Sequence, residues 1–84
     1  MQRDPLEYRE VVVYRSAKKA DTYLYLPAES TLSDLPSELN QLFGRAIFAM
    51  ELVITPQLKM SRLQATDVLI ALGTHGYLLQ IRTP

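Results

Sequence analysis

The sequence predicts one α+β domain: a two-layer sandwich in the order ββαβαβ, with a four-stranded, largely antiparallel sheet and two helices on one face. Three observations carry that prediction. A chain of 84 residues suits a single domain. Four short segments are β-branched, aromatic or alternating in the manner of strands. Two segments between them space apolar residues at helical intervals and close on glycine. Two helices with one main apolar stripe each can both be buried against a single sheet face.

The elements follow in chain order. Residues 1–10, MQRDPLEYRE, read as a flexible N-terminal arm ahead of a domain over 11–84, because Pro5 and the mixed charges discourage regular structure. Val11–Ser16 is the first strand and Thr22–Leu26 the second, ended by Pro27, which lacks a ladder donor. The connector AKKAD makes the pair an antiparallel hairpin but lacks the Asn-Gly signal that would fix its loop type. Pro36 suits the first position of a short helix. Its apolar stripe is Leu35, Leu39, Leu42 and Phe43, and Gly44 is placed for a left-handed cap.

Ala46–Ile54 is the third strand. Strict alternation would put Phe48, Met50, Leu52 and Ile54 on one face and Ile47, Ala49, Glu51 and Val53 on the other. Both sets are mostly apolar, which predicts a central strand buried on both sides. After a loop marked by Pro56, Ser61 and Gln64 form a capping-box pattern. The second helix carries the stripe Ala65, Val68, Leu69 and Leu72 and stops at Gly76. Tyr77–Arg82 is the last strand, with Tyr77, Leu79 and Ile81 on one face.

Composition narrows the function classes. Hydrophobic residues make up 48% and charged residues 21%, as in an ordinary soluble domain. Nine basic and nine acidic residues give a net charge of +0, which argues against a generic DNA-binding protein but leaves room for a local basic patch. Cysteine is absent, so disulfides, thiolate nucleophiles and zinc-finger sites are excluded. There is no phosphate-binding glycine loop, nucleophile elbow or metalloprotease motif, so no cofactor is expected. The polar N-terminus is unlike a secretory signal, and no apolar run approaches the ~18–20 residues needed to span a bilayer. The expected setting is the cytoplasm, without membrane association.

The segments VVVYRSAKKADTYLYL, LPSELNQLFG, the Ala-Met pair of the third strand and GYLLQI closely resemble the YcgL family of small bacterial proteins. The resemblance runs from about Val11 to Ile81. It implies a compact α/β sandwich, a bacterial cytoplasmic setting and no established enzymatic activity, and it supplies no catalytic residues. Members often have cysteine in the first strand, where this chain has Val11, so thiol chemistry is out of reach here. Polar or small residues usually stand where this chain has Leu63 and Ile70, and many members continue past a proline-rich end, where this chain stops at Pro84.

Three groups of residues are candidate sites. With Lys18 and Lys19 at the hairpin apex, Tyr14 would pair with Tyr23 and Val12 with Tyr25. Tyr14, Tyr23 and Tyr25 would then share the sheet face away from the helices, rimmed by Arg15, Ser16, Lys18 and Lys19. Such a face could contact a protein or peptide, or stack unpaired RNA bases while the cations take phosphates. The plainer reading is a hairpin stabilised by cross-strand tyrosines at ~0.2–1 kcal/mol per pair. Leu63 and Ile70, a heptad apart and opposite the core stripe, are a candidate protein interface, including self-association. Glu51, among apolar neighbours, could form a small-ligand or enzymatic site with Arg15, or simply meet water at a sheet edge. His75 is the single histidine, and no metal site is expected around it. The leading expectation is a non-enzymatic interaction module with an unknown protein partner or a second copy. Weak single-stranded RNA binding and a small-ligand site are the alternatives.

Overall fold

The β-branched run that follows Tyr8 extends into an eight-residue strand, β1 (Arg9–Ser16), in a computed structural model that describes residues 8–60 and 63–82. The chain continues through β2 (Thr22–Pro27), a 3-10 turn (Leu32–Asp34), α1 (Ser37–Phe43), β3 (Ala46–Ile54), α2 (Ala65–His75) and β4 (Leu78–Ile81). The four strands pair antiparallel in the order β3-β1-β2-β4, so the expected class and element order hold. No helix among the described residues is long and apolar enough to cross a membrane.

β1 begins inside the expected arm. Arg9 lies opposite Ile54, and its guanidinium reaches Glu29 Oε1 at 3.1 Å. Residues 1–7 of that arm are outside the described residues. The connector after β1 is shaped by Ser16, whose buried Oγ accepts the backbone N–H groups of Lys18 and Lys19 at 3.1 and 2.9 Å. Serine side chains commonly fix turns in this way. At the other end Asp21 takes φ +56°, a left-handed conformation that aspartate tolerates better than most residues.

The two helices lie on opposite faces of the sheet, not together on one. Val11, Val13 and Tyr25 pack with Ile54 and with Ala65, Val68, Leu69 and Leu72 of α2. Leu24 and Leu26, which alternate with Tyr25 along β2, pack with Leu35 and with Phe43 of α1. Neighbouring strand residues point to opposite faces, so these two cores are separated by the sheet itself. The physical reason is the composition of β2, which is apolar on both sides and is buried on both. One helical layer could cover only half of it.

β3 also departs from expectation. It is an edge strand, and Phe48, Met50 and Val53 are exposed. Its register shifts against β1: Met50 lies opposite Val13, but Phe48 lies opposite Tyr14. Ala49 is therefore the extra residue of a β-bulge, and the bulge carries Phe48 to the face opposite Met50 and Leu52. Alternation across Ala46–Ile54 is thus broken at one point.

The helix termini largely follow the sequence. Pro36 precedes α1 as its N-cap, one position earlier than expected. Leu35 and Phe43 are buried, while Leu42 is exposed. Asn40 Nδ2 donates to the carbonyl of Leu32 at 3.1 Å and ties the 3-10 turn to α1. Gly76 caps α2 at φ +83°, ψ +2°, with its N–H on the carbonyl of Leu72. The capping role expected of Ser61 falls outside the described residues; Gln64 is the residue that precedes α2.

Candidate functional site

The hairpin register decides what the tyrosines can do. Arg15 lies opposite Tyr23, Tyr14 opposite Leu24 and Val13 opposite Tyr25. This is one residue away from the pairing expected with Lys18 and Lys19 at the apex, and such a slip changes which face each side chain occupies. Tyr23 and Tyr25 share the α2 face with Val13, whereas Tyr14 belongs to the α1 face and packs beside Leu24 and Leu26. Tyr25 is buried, and its hydroxyl donates to Gln80 Oε1 at 3.0 Å. The three rings therefore form no common platform.

The polar members of the group divide in the same way. Ser16 is a structural hub: besides accepting from Lys18 and Lys19, its hydroxyl donates to the carbonyl of Phe43 at the end of α1. Arg15, Lys18 and Lys19 are exposed around the hairpin end. The Cβ of Lys18 packs so close to Gly44 that a Cβ added there would sit 2.9 Å away. Gly44 itself has φ +75°, ψ −153°, a region that side-chain-bearing residues essentially avoid.

Leu63 and Ile70 are not paired on one helix. α2 begins at Ala65, so Leu63 precedes it, and the helical spacing that placed the two together does not apply. Leu63 is half-buried against the α2-side core, while Ile70 is exposed. Glu51 is exposed opposite Val12, on the sheet face opposite that of Arg15. A groove of about 510 Å³ runs beside Glu10, Glu51 and Val53, but Arg15 does not line it. His75 is exposed in the last turn of α2, 6.4 Å from the Tyr77 ring between centroids. Among the described residues no cluster of three metal-ligating side chains occurs.

Two features emerge that the sequence did not single out. The first is the β3 edge, with Phe48 and Val53 exposed on the α1-side face and Met50 on the other. The second is a groove of about 340 Å³ on the α2 side, between the sheet and the loop through Leu58, Lys59 and Met60. Tyr23, Gln80 and Arg82 form its polar end, and the Arg82 guanidinium carbon stands 4.5 Å from the centroid of the Tyr23 ring. A glutamine within the apolar strand LLQI was the one sequence signal for it.

Comparison with known proteins places this architecture. A family model described as YcgL domain matches residues 11–83. A YcgL domain-containing protein of Saccharophagus degradans is 42% identical over 74 residues, covering 88% of this chain and 81% of the relative. One from Marinobacter nauticus is 39% identical over 71 residues, covering 84% and 73%. A protein of Nitrosococcus oceani named as a putative HAD-like hydrolase is 32% identical over 69 residues, which is 82% of this chain but 19% of that protein. The match extends across both strands of the hairpin, both helices and β4, and on that basis the chain belongs to the YcgL family.

Proposed function

We propose that this chain is a non-enzymatic protein-interaction module whose partner docks along the β3 edge. The observation that carries this reading is the exposure of Phe48, Met50 and Val53 at 56%, 52% and 51% on a nine-residue edge strand. An edge strand presents unpaired backbone donors and acceptors, and native proteins blunt long apolar edges with lysine, proline or covering elements. The sequence of β3, AIFAMELVI, has neither lysine nor proline and one charge, Glu51. A partner that adds a strand would satisfy the backbone while its side chains meet Phe48 and Val53. The Nitrosococcus oceani protein supports the reading, because there a similar segment is about a fifth of a longer chain. A unit that occurs joined to other sequence fits a module that works against a second surface.

The test is site-directed photo-crosslinking in the native bacterium, with the reactive residue at Phe48 or Val53 and a control at Glu38 on α1. A discrete adduct from both β3 positions, absent from Glu38 and lost in an Ala49→Pro background, is expected. Adducts of equal yield from all three positions, or none from β3, would overturn the proposal. Single-stranded RNA binding draws no support from the tyrosines, since Tyr25 is in the core and Tyr14 lies on the other face.

A further inference from the structure

The α2-side groove has a directional chemistry. Its walls are apolar, built from Val13, Leu52, Leu58 and Leu63. Its polar end holds Tyr23, Gln80 and Arg82, Lys59 lines it from the loop, and among the described residues no carboxylate lines it. The Gln80 carbonyl oxygen is already engaged by the Tyr25 hydroxyl, which leaves the amide NH₂ as that side chain's remaining polar group. Arg82 is stacked on Tyr23, and its Nε is buried with no hydrogen-bond partner among the described residues. Arg82 lines the groove and brings a positive charge to this end, which an anionic acceptor would complement. Among the described residues the charged groups that line the groove, Arg82 and Lys59, are both cationic donors.

We infer that this groove binds a small amphipathic carboxylate, its anionic end on Arg82 and Lys59 and its hydrocarbon end along Val13, Leu52, Leu58 and Leu63. The volume of about 340 Å³ lies in the range of small-molecule sites, which combine apolar walls with a few convergent polar groups. Charge complementarity selects the anion: an alcohol oxygen can accept one uncharged hydrogen bond from the guanidinium, whereas a carboxylate can accept in a charge-assisted bidentate fork. The site is on the α2 face of the sheet and does not depend on the β3 edge having a partner.

The experiment is a chemical-shift titration of the ¹⁵N-labelled full chain with octanoate, and with octanol as the uncharged control. Saturable shifts at Leu58, the Gln80 side-chain amide and Arg82 are expected, with octanol at least tenfold weaker. Arg82→Gln should weaken octanoate at least tenfold, and Lys59→Gln, at an exposed position that is safe for folding, several-fold. No saturable shift up to about 10 mM octanoate, a concentration that detects millimolar affinities, would overturn the inference. So would equal binding of octanol, or an unchanged affinity in the Lys59→Gln protein.

Discussion

Replacing Tyr25 by phenylalanine removes one oxygen atom from the centre of the molecule. Tyr25 is 5% exposed and Gln80 7%, and the hydroxyl donates to Gln80 Oε1 at 3.0 Å. The ring itself stays in place, so the change isolates the hydrogen bond. A neutral hydrogen bond contributes a net ~0.5–1.5 kcal/mol, and a buried acceptor left without its donor costs ~1–3 kcal/mol. Tyr25→Phe should therefore destabilise the fold by about 1–2 kcal/mol. In a domain of this size each kcal/mol lowers Tm by ~4–8 °C. Urea unfolding followed by circular dichroism should show a lower midpoint at an unchanged m-value. Gln80→Leu should cost a similar amount by stranding the hydroxyl. The double variant should be less destabilised than the sum of the single ones, with a coupling of about 1 kcal/mol. A loss within ~0.5 kcal/mol, the usual range for a surface substitution, would refute the burial of Tyr25 and with it the hairpin register. Strictly additive single variants would refute the Tyr25–Gln80 bond.

Other substitutions test separate parts of the structure. Ser16→Ala removes the acceptor for Lys18 and Lys19 and the donor to Phe43; a loss of ~1–3 kcal/mol is expected, with faster amide exchange at Lys18 and Lys19 as its local signature. Gly76→Ala meets open space but a left-handed backbone, at ~1–2 kcal/mol. Gly44→Ala should cost more, because its Cβ would also collide with Lys18 Cβ at 2.9 Å; thermal melts giving the opposite order would contradict this packing. Leu63→Ser should lower the urea midpoint through lost contact with the α2-side core, at ~1–2 kcal/mol. Ile70→Ser should stay within ~0.5 kcal/mol and leave the sedimentation mass unchanged. A change of mass on Ile70→Ser would restore α2 as a self-association surface.

The sequence alone determined which elements form and in what order, and it placed the glycine that closes α2. Val11–Ser16, Thr22–Leu26 and Ala46–Ile54 announce themselves by composition, and the α2 stripe Ala65, Val68, Leu69 and Leu72 is buried as its spacing requires. Gly76 closes α2 because a left-handed cap favours a residue without a Cβ. Those features are local, and local chemistry encodes them. Register, sidedness and strand order are not local. In β2 the alternating sets Tyr23/Tyr25 and Leu24/Leu26 are both apolar, so no polar face distinguishes one pairing from its one-residue neighbour. The five-residue connector, held by Ser16 and Asp21, made that choice. β3 is apolar on both faces, which fits a central strand as well as an uncovered edge. Only the pairing of β2 with β4 on one side of the β1–β2 hairpin left β3 at the margin. The tyrosines that looked like a surface were drawn into two different cores, because a central strand flanked by a helix on each side has no outward face to give them.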